Sequence, residues 1–237
     1  MVIIITGASR GIGFETAKYF ARQKDMEIFA ISRNSGGLGQ LATECAGLNR
    51  LSQVHPLVFD LENLLTEPDS LLKRLPDSIT HVDILINNAG LLISKPFTDF
   101  TISDITRLFN VNCIAPSLLI NCLVPLMGGD SISHVVNISS MGGFQGSVKY
   151  SGLSFYSSSK AAMACLTECL QEEFRDNNMI FNCLALGSVQ TEMLEEAFPG
   201  YKAGMKPDDA AEFIGHFALT AHRHIRGKVI PVSVSNP

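Results

Sequence analysis

The chain has 237 residues, of which 46% are hydrophobic and 17% are charged. This length suits one α/β domain with a sizeable core, and the composition excludes an intrinsically disordered chain. The net charge of −5 argues against a nucleic-acid-binding surface. The six cysteines form no Cys-x-x-Cys motif and no Cys/His cluster with zinc spacing, so we expect free thiols in a reducing compartment and no metal site.

The N-terminus gives no targeting signal. The apolar run that opens the chain is shorter than a signal peptide and has no basic leader. No uninterrupted run of about 18 apolar residues occurs, so we expect no membrane-spanning helix. Cytoplasmic localisation is the resulting expectation.

Strand patterns alternate with helix patterns along the whole chain. The predicted strands cover residues 2–6, 27–32, 54–59, 82–86, 134–138, 180–185 and 228–233. The predicted helices cover residues from the first glycine-rich turn to about 24, then 38–48, 70–75, 105–126, 156–176 and 208–220.

This alternation predicts a doubly wound Rossmann fold. Right-handed crossovers place the seven strands in a mostly parallel sheet with helices on both faces. No linker, internal repeat or low-complexity segment interrupts the pattern, so residues 1–237 are expected to form a single domain. In such folds ligands bind at the carboxyl ends of the strands, which is where the motifs below occur.

A glycine-rich turn follows the first strand. Gly7, Gly11 and Gly13 have the spacing Gly-x-x-x-Gly-x-Gly, which differs from the common Gly-x-Gly-x-x-Gly pattern. Glycines permit a tight turn and a close approach of the backbone to a pyrophosphate, and the helix N-terminus offers free N–H groups. The alternative is an ordinary glycine-rich βα turn. The strand before it and the helix after it favour a dinucleotide site.

The end of the second strand favours NADP(H) over NAD(H). An NAD site usually has an acidic residue there, whereas this chain has Ser32 followed by Arg33, twenty residues after Gly13. Arg10 lies within the glycine-rich turn. Two guanidinium groups suit a 2′-phosphate, although both could instead be solvated surface charges. Asp60 and Leu61, after the third strand, are candidates for contacting the adenine.

Tyr156 and Lys160 are spaced four residues apart on a predicted helix and would share one face. A phenol ordinarily titrates near pH ~10, and a neighbouring cation favours the phenolate and lowers that pKa. The pair is therefore a candidate acid–base group. Tyr150 is a rival phenol, but it has Ser154 rather than a lysine four residues later.

Together these motifs resemble the short-chain dehydrogenase/reductase family in its simple single-domain form. The resemblance covers the whole chain, and its motifs occur in order: Thr6-Gly-x-x-x-Gly-x-Gly13, Asn87-Asn-Ala-Gly90, Asn112, Ser140 and Tyr156-x-x-x-Lys160.

The resemblance implies a catalytic tetrad. Tyr156 would exchange a proton with the substrate oxygen, and Ser140 would hydrogen-bond that oxygen. Lys160 would bind the nicotinamide ribose and lower the Tyr156 pKa, while Asn112 would hold a water linking Lys160 to solvent. Ser139 competes with Ser140, and Asn110 competes with Asn112.

The resemblance also implies a set of cofactor-binding residues: Gly7, Ser9, Arg10, Gly11, Ile12, Gly13, Arg33, Asp60, Leu61, Asn87, Asn88, Ala89, Gly90, Tyr156, Lys160, Val189 and Thr191. Val189 and Thr191 would contact the nicotinamide carboxamide. Asn87 or Asn88 would also tie neighbouring strands together.

Three features depart from the family pattern. Leu186 stands where the family commonly has proline, which removes a backbone restraint. The loop between Ser140 and Tyr156 is longer than expected and should shape the substrate pocket. The substrate-covering segment at residues 191–206 is short, which suggests an open site with an apolar wall that could include Met193, Leu194, Phe198, Tyr201, Phe144 and Phe155.

We therefore expect an NADP(H)-dependent oxidoreductase that acts on a small carbonyl or alcohol, with its substrate and direction left open. The alternative is a catalytically silent dinucleotide-binding protein that senses redox state or assembles. Apolar residues on the helices carrying Asn112 and Tyr156 suggest a homodimer or homotetramer, unless they belong to the core.

Overall fold

Seven strands form one sheet in the computed structural model, which describes residues 1–234. The strands are β1 Val2–Thr6, β2 Glu27–Ser32, β3 Gln53–Val58, β4 Ile84–Asn87, β5 Ser133–Ser140, β6 Met179–Leu186 and β7 Val229–Val232. Their order is β3-β2-β1-β4-β5-β6-β7, and all six pairings among these described strands are parallel. The predicted doubly wound fold is confirmed, and the sheet is wholly rather than mostly parallel.

Helices cover both faces of the sheet. They are α1 Gly11–Ala21, α2 Ser35–Cys45, α3 Ile102–Phe109, α4 Ala115–Leu123, α5 Ser154–Glu173, α6 Glu192–Ala197 and α7 Pro207–Thr220. One hydrophobic cluster joins α1, α2 and α7 to the sheet and includes Phe20, Leu41 and Ile214. A second cluster, on the other face, includes Leu119 of α4 and Phe181 of β6.

The strand order reverses between β1 and β4. Chains leaving these two strands turn to opposite faces of the sheet, and this opens a crevice at their carboxyl ends. The glycine-rich turn after β1 and the Asn-Asn-Ala-Gly segment after β4 both lie at this crevice. The topology alone therefore brings together motifs that are about eighty residues apart in sequence.

The helices predicted at residues 38–48 and 70–75 differ from those in the structure. The side chain of Asn34 accepts a hydrogen bond from the Gly37 N–H, so α2 begins at Ser35 instead of residue 38. The helix predicted at residues 70–75 is wrong, because the chain there makes only a 3₁₀ turn, Leu72–Arg74. Leu75 precedes Pro76 and is extended, as proline requires of the residue before it.

The long helix predicted over residues 105–126 is interrupted. A capping box between Thr101 and Asp104 starts α3, and a π-helical turn, Asn110–Ile114, separates it from α4. Pro116 has no N–H group and cannot donate to the carbonyl of Asn112, the partner it would have in an α-helix. The π-helical turn itself includes a hydrogen bond from the Ala115 N–H to the Asn110 carbonyl.

The stretch Ile102–Leu126 is 25 residues long with a mean hydropathy of 1.5, enough by length and composition to cross a membrane. In this fold 44% of its most apolar window is buried. Leu119, Ile120 and Leu123 lie in the hydrophobic cluster against the sheet. Packing within the chain thus accounts for part of the apolar character of the stretch.

The residues proposed for an oligomer interface divide between core and surface. Leu119 and Met163 are buried, while Leu118, Ala161, Leu166 and Leu170 are half-buried. Ile114 is 41% exposed. The homo-oligomer stays a prediction, as does the single-domain interpretation.

A buried polar network joins β5, β6 and α7 below the crevice. His134 Nδ1 lies 2.8 Å from the carbonyl oxygen of Ala218, and Nε2 lies 3.0 Å from the side-chain amide nitrogen of Asn182. A carbonyl only accepts and an amide N–H only donates, so the neutral ring carries its proton on Nδ1. The pKa of His134 is lowered to about 4. Burial is the main cause, the hydrogen bond to Ala218 opposes it, and the nearby His222 adds a smaller lowering effect.

This histidine should make the fold sensitive to acid. Its folded-state pKa lies below the ordinary 6.5, so the unfolded chain takes up the proton first and stability falls as the pH drops from about 6.5 to about 4. Between pH 7 and pH 5 we expect His134 to account for a loss of about 2 kcal/mol. Urea unfolding of the wild type and His134→Gln at both pH values measures this loss. An equal pH dependence in the two proteins would contradict it.

Candidate active site

A cleft of about 780 Å³ lies at the carboxyl ends of the strands. Its walls come from the turns after β1, β2, β3, β4, β5 and β6, from the start of α5, and from α6. Most of the predicted site residues line it: Gly7, Ser9, Arg10, Gly11, Ile12, Arg33, Asp60, Leu61, Asn88, Ala89, Gly90, Ser140, Tyr156, Lys160, Val189 and Thr191. Gly13, Asn87 and Asn112 do not line it and are described below.

The glycine-rich turn is built around close backbone contacts. Gly7 adopts a φ of +67°, in the left-handed region that favours glycine. A methyl group on Gly13 would lie 2.4 Å from the Gly7 carbonyl oxygen and 2.5 Å from the Asn88 side-chain nitrogen. Gly13 therefore lets α1 pack directly against the turn. Arg10, at the N-cap of α1, makes no side-chain capping hydrogen bond, so the first N–H groups of the helix face the cleft uncapped.

Thr6 and Asn88 hold the β1 and β4 turns together. The Thr6 hydroxyl accepts hydrogen bonds from the N–H groups of Asn88 and Ala89, each at 3.0 Å. The Asn88 side chain donates in return to the Thr6 carbonyl at 3.0 Å. Asn87 instead points between strands, where it donates to Asn137 at 2.8 Å. This bond ties β4 to β5, the role expected of Asn87 or Asn88, and a contact between Asn87 and the cofactor stays a prediction.

Arginine and serine side chains form the end of the cleft beside β2. The hydroxyls of Ser32 and Ser9 are hydrogen-bonded at 2.8 Å. Arg33 lies 3.5 Å from a carboxylate oxygen of Asp60, whose other oxygen accepts from the Glu62 N–H. The Arg10 guanidinium lies 3.4 Å from Glu196 on α6. Among the cleft residues here, both cations are thus paired with carboxylates.

Tyr156 and Ser140 meet in the cleft. Ser140 ends β5 and Tyr156 lies in the first turn of α5, and the Ser140 hydroxyl lies close enough to the phenol to act on its pKa. Ser139, which points the other way, is buried and donates to the Lys160 carbonyl at 2.8 Å. The alternation of side chains along a strand separates the two serines, and this places Ser140 rather than Ser139 beside the phenol.

Lys160 lies one turn beyond Tyr156 and is 5% exposed. Its ammonium donates to the carbonyl of Ile138 at 2.9 Å. Burial lowers the pKa of Lys160 to about 8, although the thiols of Cys183 and Cys113 oppose that shift. A methyl group on Gly90 would lie 3.3 Å from the Lys160 nitrogen, so this glycine keeps space open beside the amine.

The lowering of the Tyr156 pKa by Lys160 stays a prediction, and other groups set the direction of the shift in this structure. Burial raises the pKa of Tyr156, and the hydrogen bond from Ser140 only partly offsets that effect. The Lys160 ammonium is directed to the Ile138 carbonyl, not to the phenol. Burial disfavours the anionic phenolate, and this effect on the Tyr156 pKa is larger than that of the Ser140 hydrogen bond.

The side chain of Asn112 is occupied by protein groups. Its oxygen accepts from the Leu91 N–H at 2.8 Å, and its amide group donates to the Leu91 carbonyl and to the Ser159 hydroxyl. These bonds tie the β4 turn to α5. Both amide hydrogens of Asn112 and its side-chain oxygen already have protein partners, so we do not expect the side chain to hold a water.

The segment covering the cleft contains a short helix that the sequence analysis missed. Thr191 caps α6 by accepting from the Leu194 N–H, and Val189 pairs with Met205 to close the segment at its base. Met193, Leu194, Phe198 and Tyr201 line the cleft as expected. Phe144 and Phe155 do not, since Phe155 stacks against Phe97 at a ring separation of 5.4 Å.

The comparison with known protein families agrees with this geometry. A family model described as short chain dehydrogenase matches residues 1–202. The chain belongs to the short-chain dehydrogenase family. Its members' activity is oxidoreduction with a nicotinamide cofactor, and the cleft of this short-chain dehydrogenase lies where the fold places such a ligand.

Two curated relatives span nearly the full chain. The NADP-dependent 3-hydroxy acid dehydrogenase of Schizosaccharomyces pombe is 30% identical over 234 residues, covering 94% of this chain and 88% of the relative. An oxidoreductase of Staphylococcus saprophyticus is 27% identical over 231 residues, covering 98% and 96%.

Solved structures include similar short-chain dehydrogenases with different cofactors. One from Escherichia coli CFT073, complexed with NADPH, has a TM-score of 0.84 and 26% identity, covering 97% of this chain and 95% of its own. A 7α-hydroxysteroid dehydrogenase complexed with NADH and 7-oxo glycochenodeoxycholic acid has a TM-score of 0.88 and 25% identity, covering 99% and 93%. Family membership therefore leaves the cofactor preference to this chain's own residues.

Proposed function

We propose that this protein is an NADP(H)-dependent oxidoreductase that interconverts a carbonyl and a secondary alcohol, with Tyr156 as the acid–base group. The observation that carries the proposal is that Tyr156, Ser140 and Lys160 line one cleft, with Ser140 close to the phenol and Lys160 one helical turn away. A carbonyl oxygen placed between the two hydroxyls would receive a hydrogen bond from each.

The residues of the cleft fit a nicotinamide dinucleotide. Gly7 and Gly13 leave backbone surface where side chains would collide, and the uncapped N-terminus of α1 suits a pyrophosphate. Val189 and Thr191 also line the cleft, and a methyl group on Gly11 would lie 3.4 Å from Thr191, so this segment passes beside the glycine-rich turn. We expect these two residues to contact the nicotinamide. When bound, the dinucleotide supplies or accepts the hydride.

Each polar residue then has a defined task. During reduction Tyr156 donates its proton to the developing alkoxide, and its raised pKa keeps the phenol protonated for that purpose. Ser140 orients the oxygen and stabilises its charge by a second hydrogen bond. Lys160, with a pKa of about 8, is cationic below that pH and would bind ribose hydroxyls through the space beside Gly90.

The lining of the outer cleft favours a substrate with an apolar body. The cleft that contains Tyr156 is also lined by apolar side chains, among them Leu92, Met141, Leu153, Met193 and Phe198. Such side chains bury hydrocarbon surface and offer no charge to an acid or a phosphate. Because the proposed reaction takes its hydride from the dinucleotide, turnover should depend strictly on added dinucleotide.

The proposal is tested by following NADPH and NADH consumption with a panel of apolar ketones, aldehydes and quinones. We expect turnover with NADPH and a clear preference for it over NADH. Binding of dinucleotide without turnover of any panel member would favour the alternative of a silent dinucleotide-binding protein. Preference for NADH would contradict the assignment of Arg10 and Arg33.

The cofactor preference has its own test in Arg33. Replacing Arg33 by Ser removes a charged donor from the end of β2, so we expect the Kd for NADPH to rise about tenfold and that for NADH to change little. Titration calorimetry measures both. Arg50→Ser is the matched control, because Arg50 is exposed and lies outside the cleft. An equal loss of affinity for both dinucleotides would show that Arg33 does not read the 2′-phosphate.

A further inference from the structure

The short helix α6 brings carboxylates to the cofactor end of the cleft. Glu196 lies 3.4 Å from the Arg10 guanidinium, and the two side chains are 69% and 51% exposed. A methyl group on Gly11 would lie 3.9 Å from a carboxylate oxygen of Glu192, so a second acidic side chain of α6 lies over the glycine-rich turn. The segment that covers the substrate is thereby connected to the turn that would hold the cofactor.

The two arginines of the cleft differ in how firmly their carboxylate partners are held. Asp60, the partner of Arg33, is fixed at the start of a 3₁₀ turn by a 3.0 Å hydrogen bond from the Glu62 N–H. Within the part of the chain that the structure describes, the polar contact of Glu196 is the one with Arg10. Glu196 is therefore the partner that can leave its arginine without breaking another bond.

A 2′-phosphate and Glu196 would compete for the same cation. A phosphate with a charge near −2 accepts from a guanidinium more strongly than an exposed carboxylate does. Taking Arg10 from Glu196 would release one of the connections between α6 and the glycine-rich turn. A dinucleotide without the 2′-phosphate does not bind the Arg10 guanidinium in this way, so the Arg10–Glu196 pair stays intact.

We propose that Glu196 is a specificity-determining residue. By holding Arg10 in an ion pair, it weakens the binding of the phosphorylated dinucleotide. The strength of that binding therefore depends on the position of α6. This inference rests on the proposed function, since it presumes that the cleft takes a nicotinamide dinucleotide. The coupling is reciprocal: the free energy by which the Arg10–Glu196 pair weakens NADP(H) binding equals the free energy by which bound NADP(H) weakens the pair that holds α6.

The test compares Glu196→Gln with the wild type in direct binding of NADPH and NADH, measured by titration calorimetry without substrate. We expect the variant to bind NADPH about threefold to fivefold more tightly, the range that an exposed ion pair supports. Affinity for NADH should change by less than about twofold. The gain for NADPH should shrink in about 0.5 M salt, where exposed pairs are screened.

Glu195→Gln is the matched control. Glu195 lies on the same helix and carries the same charge, but its carboxylate accepts from the Gly200 N–H at 2.9 Å and not from Arg10. If both variants change NADPH binding alike, or if Glu196→Gln leaves the NADPH-to-NADH ratio unchanged, the inference is wrong while the proposed function stands. If the wild type binds neither dinucleotide, both proposals are wrong.

Discussion

Tyr156→Phe is expected to lower kcat for carbonyl reduction by about 10²- to 10⁴-fold, the range in which positioned acid–base groups act. The phenyl ring fills nearly the same space, so the change removes the proton donor and one hydrogen bond to the substrate oxygen. The Kd for NADPH should stay within about twofold of the wild-type value, because the glycine-rich turn, Arg10 and Arg33 are unchanged in this variant. Steady-state kinetics and calorimetry measure the two quantities.

Tyr150→Phe provides the control for this result. Tyr150 also lines the cleft and is 45% exposed, so its phenol is equally accessible to a small substrate. It has no contact with Ser140 comparable to that of Tyr156. We expect the control variant to keep kcat within about threefold of the wild type, far less than a lost acid–base group would cost. A large loss in Tyr150→Phe together with retained activity in Tyr156→Phe would reverse the assignment.

Gly13→Ala is expected to disrupt the cofactor end of the cleft by adding a single methyl group. That group would lie 2.4 Å from the Gly7 carbonyl oxygen and 2.5 Å from the Asn88 side-chain nitrogen. Relief requires α1 to move away from the turn, and overpacking of this kind costs about 1–3 kcal/mol. We expect a lower free energy of unfolding by about 2 kcal/mol and a rise of at least tenfold in the Kd for NADPH.

Gly39→Ala is the matched control for the glycine substitution. Gly39 lies within α2, and a methyl group added there would meet nothing within 4 Å. Alanine is a better helix former than glycine, so this variant should be unchanged or slightly more stable, by up to about 1 kcal/mol. Urea unfolding of both variants distinguishes a steric effect at Gly13 from a general effect of losing glycine.

The sequence predicted the sheet well because buried parallel strands leave a strong signal. The first two strands, 2–6 and 27–32, were placed with the bounds that the structure shows. Continuous apolar runs of strand length, each followed by a turn, permit few other structures. The motifs at the strand ends then converge because the topology places every carboxyl end on one edge of the sheet.

The parts that could not be predicted depend on contacts between distant residues. No local pattern shows that Asn112 would be saturated by Leu91 and Ser159, nor which of Asn87 and Asn88 would face β5. The sequence analysis continued one helix over residues 105–126 through Pro116 and did not predict the π-helical turn Asn110–Ile114. The helix α6 carried a readable signal, Thr191 followed by acidic residues, which is a common N-cap pattern.

The charge balance of the site was also beyond the sequence. The spacing of Tyr156 and Lys160 placed them on one face, but the Lys160 ammonium is directed to the Ile138 carbonyl. Burial of the phenol then dominates and raises its pKa. Likewise, the pairing of Arg10 with Glu196 joins residues 186 positions apart, a separation that no motif spans.

The central claim is that hydride passes between a nicotinamide and a carbonyl carbon in this cleft. Its most direct test uses NADPH carrying deuterium at C4 of the nicotinamide, prepared separately for each face of the ring, with the best ketone from the panel. The account predicts that one of the two labelled forms transfers deuterium to the carbinol carbon of the product, and that Tyr156→Phe nearly abolishes this transfer. Bound NADPH with no deuterium in any product would contradict the account.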